Sequence, residues 1–135
     1  MVDGAQQGNS KGDAMTKVKM LYDNNLICGF EMEGHAEYNK SGPDILCASL
    51  SAASQMTING ILDATGFEYD DVVKECNARK GTLKLELNGS EINNGLAMDV
   101  VVQQLLKSFE LYIVMLEEEY PDNVSIERRK EDGAD

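Results

Sequence analysis

Two pairs of short alternating segments are each followed by a long helical run. This strand-strand-helix order, met twice, constrains the fold more than any other feature of the chain. In residues 16–22, Lys17-Val18-Lys19-Met20 alternates polar and apolar, the pattern of a half-buried strand. Asp23-Asn24-Asn25 predicts a turn, and residues 26–33 a second strand, so the two form a hairpin. Residues 44–65 then read as a helix with Ile45, Leu46, Leu50, Ala53, Ile58, Ile61 and Leu62 as apolar contacts. Pro43 suits the first helical turn, Gly66 suits the stop, and Asn59-Gly60 is a weak point.

The second half repeats the order. Residues 69–78 and 82–87 read as strands joined by Arg79-Lys80-Gly81, with Leu83, Leu85 and Leu87 on one face. Residues 94–119 read as a helix with Leu96, Val100, Leu106, Ile113 and Leu116 at near-helical spacing. Val101, Leu105, Phe109 and Tyr112 widen its apolar face. A face that broad predicts contact with both a sheet and a second subunit, hence a homodimer; a thoroughly buried helix in a monomer is the alternative. Pro121 ends the helix, and Val124 and Ile126 mark a last strand within residues 123–128.

The expected fold class is therefore α+β: a two-layer, mostly antiparallel sheet with two helices on one face, in the order strand-strand-helix-strand-strand-helix-strand. At 135 residues the chain is one domain, placed at 15–129. Residues 1–14 read as a disordered leader, or as residues added ahead of a natural start near Met15, and residues 130–135 as a flexible tail.

A net charge of −12 disfavours nucleic acid and anionic membranes as direct partners, because phosphate affinity needs clustered Lys and Arg. It suits a basic protein partner, although acidity also simply keeps a protein soluble. No apolar run approaches a membrane span. Three dispersed cysteines and one histidine offer neither a structural zinc pattern nor a disulfide framework, which fits a reducing cytosol. No metal or cofactor is expected.

The chemistry concentrates between the first strand pair and the first helix. His35, the lone histidine, follows the second strand, and Cys47 comes twelve positions later in the first turns of the helix. A thiol there lies near unpaired amide groups and the positive end of the helix dipole, both of which favour a thiolate. The same amides can hold an oxyanion. A cysteine nucleophile with a histidine base follows; so does the plainer reading of a surface imidazole and an inert core thiol. Asp44 and Ser51, three residues before and four after Cys47, share its helix face. Either can support the pair, Asp44 as an orienting carboxylate or merely as an N-terminal cap, Ser51 as a hydrogen-bond donor or merely as a small packing residue. Asn39, Lys40, Ser41, Gly42 and Pro43 form a loop between them, able to cover an extended substrate. Cys28 and Cys76 fall in strand patterns and read as small core or surface residues.

Gly34-His35-Ala36, the short loop with Gly42, then Asp44-Ile45-Leu46-Cys47-Ala48 and Ser51 closely resemble the ribosomal-processing cysteine protease family, Prp. Only this block is specific; the wider likeness over residues 16–128 is one of element order. The resemblance implies a bacterial, cytosolic, dimeric cysteine peptidase. Its substrate would be the precursor of a large-subunit ribosomal protein, the twenty-seventh, whose N-terminal extension is cut after a pair of phenylalanines. It implies Cys47 as nucleophile and His35 as general base, with Asp44 and Ser51 in supporting positions. Pro43 departs from the family, in which a variable polar residue is expected. A non-catalytic ribosome-associated binding or assembly factor is the competing expectation, and a thiol redox sensor is a weaker one, because no cysteine stands close to Cys47 in sequence.

Overall fold

The computed structural model describes residues 15–34, 44–77, 79–87 and 96–130. Its elements run β1 (Thr16–Asp23), β2 (Leu26–Glu33), α1 (Asp44–Thr65), α2 (Tyr69–Val72), β3 (Val73–Asn77), β4 (Thr82–Glu86), α3 (Leu96–Glu119) and β5 (Val124–Lys130). The strands form one five-stranded sheet in the order β3-β4-β2-β1-β5, antiparallel except for the parallel β1–β5 pair. The α+β expectation holds.

The hairpin turn between β1 and β2 is set by chemistry. Asn24 and Asn25 take φ of 52° and 70°, the left-handed pair that a two-residue hairpin needs and that asparagine tolerates. Val18, Met20 and Phe30 point from these strands into the core, where the Phe30 ring stacks on Phe109 of α3 at 4.2 Å. Leu46, Leu50, Ile58 and Ile61 of α1 and Val102, Leu106, Ile113 and Leu116 of α3 complete that core. Gly60 does not break α1. A Cβ there would lie 3.1 Å from the Leu105 methyl groups of α3, so the glycine marks close helix–helix approach.

Three readings change. Residues 69–72 are a helical turn rather than the start of a strand. Glu68 and Asp71 close it reciprocally: the Asp71 side chain accepts the Glu68 N–H at 2.8 Å, and the Asp71 N–H donates to the Glu68 carbonyl at 2.9 Å. Ile45 and Val100, expected as core contacts, are 65% and 61% exposed, because each lies off the stripe that faces the sheet. Finally, Ile45–Thr65 is long and apolar enough to cross a membrane by length and composition, with a mean hydropathy of 1.3. Leu46, Leu50, Ile58 and Ile61 of this helix face the core, while Ile45 and Met56 are exposed.

Polar side chains of α3, Gln103 and Glu110 among them, tie the helix to the sheet. Between the Leu21–Gly29 and Tyr22–Ile27 pairs, Cys28 is an extra residue that bulges β2. Next to it the buried Gln103 side chain pairs with Ile27 like a neighbouring strand. Its Oε1 accepts from the Ile27 N–H and its Nε2 donates to the Ile27 carbonyl, both at 2.8 Å. Those backbone groups would otherwise be buried without partners, at about 1–3 kcal/mol each. Further along α3, Glu110 accepts from the Tyr22 hydroxyl at 2.9 Å and from Arg128 Nε at 2.7 Å, linking β1, α3 and β5. Burial, then the Glu110 carboxylate, raises the Tyr22 phenol above its usual range.

Candidate active site

A cleft of about 360 Å³ opens between α1 and the β2–β4–β3 part of the sheet. Cys47 lies in the first turns of α1, half-buried, and lines this cleft. Ser51, one turn further on the same face, is exposed and lines it too. Asp44 is the first residue of α1. His35 and the loop residues Asn39, Lys40, Ser41, Gly42 and Pro43 lie outside the described residues, as do residues 1–14 and 131–135.

The residue that carries the chain into His35 is fixed. Gly34 lines the cleft and donates its N–H to the Gly81 carbonyl at 3.0 Å. Its φ is +106°, and a Cβ would stand 2.3 Å from the Met15 carbonyl oxygen. No side chain fits there, so the glycine lets the end of β2 sit against the start of β1 at the cleft. Cys47 and Gly34, the residue before His35 in sequence, therefore belong to the same cavity, brought together by β2 and α1.

The rest of the cleft was not legible from local pattern. Met32, Leu50, Ile58 and Leu83 give it an apolar lining, with Thr82 and Asn77 on its polar side. Cys28 is buried in the core, as a small-residue reading expects. Cys76 is exposed and lines the cleft that Cys47 lines. Twenty-nine sequence positions separate the two cysteines, and only the strand pairing β3–β4–β2 carries Cys76 to the site. Tyr69, on α2, lines the same cavity, close enough to Cys76 for its phenol and the thiol to interact.

The sequence model of the family described as cysteine protease Prp matches residues 15–125. This chain belongs to that family. Among solved structures, SMU.848 from Streptococcus mutans is 22% identical over 90% of this chain and 99% of its own, with a TM-score of 0.70. The ribosomal processing protease Prp from S. aureus, in complex with a substrate peptide, is 20% identical over 85% of this chain and 100% of its own, with a TM-score of 0.68. The same enzyme with a covalently linked product peptide gives a TM-score of 0.65 at 20% identity and the same coverage. At these identities the likeness is one of fold. A comparison with curated protein sequences finds no match. The family makes the chain a cysteine protease in class.

Proposed function

We propose that this chain is a cytosolic endopeptidase that removes the N-terminal extension of a large-subunit ribosomal protein, the twenty-seventh, with Cys47 as nucleophile and His35 as general base. The observation that carries this reading is the shared cavity of Cys47 and Gly34, the residue before His35. In the proposed reaction His35 takes the Cys47 proton as the thiolate attacks the scissile carbonyl. The amide groups at the start of α1 stabilise the oxyanion. His35 then gives the proton to the leaving amine, and water hydrolyses the thioester to release the acid and the thiol. Asp44 and Ser51 support the pair from the same helix. The apolar lining of the cleft suits the large side chains of a phenylalanine-rich cut site, and a net charge of −12 suits a basic substrate.

The test is incubation of the purified protein with the uncut precursor, followed by intact mass. Loss of the extension at one peptide bond is the expected result. Precursor that binds but stays intact would overturn the reading in favour of an assembly factor.

The same reading includes a homodimer. Ile45 and Met56 of α1 and Val100, Val101, Leu111 and Met115 of α3 expose large apolar side chains, beside a groove of about 460 Å³ between the two helices. Solitary exposed apolar residues are ordinary, but a group spread over two neighbouring helices marks an interaction surface. Sedimentation at micromolar concentration is expected to give twice the 14.8 kDa chain mass, and Met56→Lys with Leu111→Lys to give the single mass. A wild-type monomer would remove the dimer from the proposal.

A further inference from the structure

Tyr69 and Cys76 lie in the cleft but far from the proposed nucleophile, and the chain itself sets the minimum distance. Cys47 and Thr65 are 18 residues apart on α1, about 27 Å along a helix. Tyr69 follows Thr65 by four residues, a reach of at most about 14 Å. The Cα atoms of Cys47 and Tyr69 are therefore separated by at least about 13 Å, roughly four residues of an extended peptide. The floor between them is continuous. Cys76 pairs with Leu83, and Leu83 with Met32, so the three form one row on the helix-facing side of the sheet, spanning about 10 Å. All three line the cleft. Cys76, at the β3 end of that row, is exposed although its row partners Leu83 and Met32 are partly buried against the core. The interaction with Cys76, then burial, raises the Tyr69 phenol above its usual range.

We infer that Tyr69 and Cys76, with Leu83 as floor, form a distal subsite that takes an aromatic or long aliphatic side chain of the substrate about four or more residues from the scissile bond. The inference rests on the peptidase reading and adds a specificity determinant to it. The chemistry fits an apolar occupant. A ring or alkyl chain over Leu83 would meet the Tyr69 ring edge and a polarisable sulfur, both favourable contacts for an aromatic group. Tyr69 touches no reacting atom at that distance, so its contribution is to binding.

Two peptides from the precursor test this. One spans the cut junction with five residues on each side; the other keeps two on each side. For the long peptide, Tyr69→Ala is expected to raise KM about tenfold with the effect confined to KM, as loss of uniform binding requires. Tyr69→Phe keeps the ring and is expected to stay within threefold of wild type. The short peptide is expected to show no difference between wild type and Tyr69→Ala. Placing Ala at each large apolar position three to five residues from the cut should reproduce the Tyr69→Ala effect at one position only. An unchanged KM for the long peptide, or an equal loss on both peptides, would overturn the subsite while leaving the peptidase reading intact. Failure of wild-type protein to cleave or bind either peptide would overturn both.

Discussion

Replacing Cys47 with alanine is expected to slow cleavage of the ribosomal-protein precursor by at least about 10⁴-fold, since loss of the nucleophile in a covalent hydrolase leaves only the catalysis due to binding and oxyanion stabilisation. Cys47→Ser should recover little of this, because a hydroxyl is a far weaker nucleophile than a thiol at neutral pH. Folding should survive both changes. The side chain is small and half-buried at the cleft wall, and its removal opens no enclosed core cavity. The measurement is single-turnover cleavage followed by intact mass, with thermal unfolding of each variant beside it. A Cys47→Ala protein that still cuts within tenfold of the wild-type rate would remove this thiol from the chemistry. Precursor affinity close to wild type in that variant, with cleavage gone, is the pattern that separates a lost nucleophile from a lost fold.

How much of this was legible beforehand follows from the range of each signal. Helix α1 falls on residues 44–65 as the periodicity and Pro43 indicate, and the β1–β2 hairpin follows from alternation around two asparagines. These are local signals, each contained within a few turns or one loop. Residues 69–72 misled because Tyr69, Val72 and Val73 have strand-favouring side chains, while the feature that wins is a reciprocal pair, Glu68 with Asp71. Ile45 and Val100 misled for another reason: helical spacing says that a face is apolar but not how wide the sheet beneath it is. The proposed nucleophile could be picked out because a cysteine near a helix start is itself a local pattern. Cys76 could not. Its place in the cleft depends on the register of β3 on β4 and of β4 on β2, and nothing near residue 76 encodes that register. The parallel pairing of β1 with β5 is long-range in the same sense.

The register that brings Cys76 to the cleft depends on Gly29, and Gly29→Ala is expected to be the most damaging single-atom addition to the sheet. A Cβ at this position would stand 2.1 Å from the Leu85 carbonyl oxygen and 3.0 Å from the Glu86 Cα. Both are backbone atoms, so the clash cannot be relieved by a rotamer change; β2 and β4 must separate. They are held together there by the Gly29–Glu86 and Phe30–Leu85 pairs and by the Leu87 N–H donated to the Cys28 carbonyl at 2.7 Å. Overpacking a core typically costs about 1–3 kcal/mol, and the rigid target puts this case at or above the upper end. At about 4 °C per kcal/mol for a domain of this size, the melting temperature should fall by roughly 12 °C or more. Gly60→Ala is the matching control. Its Cβ would meet only the Leu105 methyl groups, at 3.1 Å; these can turn aside, and alanine regains about 1 kcal/mol of helix propensity. That variant should melt within a few degrees of wild type. Thermal unfolding of the pair decides the matter: equal, small shifts would mean that the β2–β4 contact yields easily and that the cleft floor is less firmly held than the backbone geometry requires. A large shift for Gly29→Ala alone, accompanied by a raised KM for the long peptide in whatever fraction remains folded, would tie the register of these two strands to the far end of the cleft.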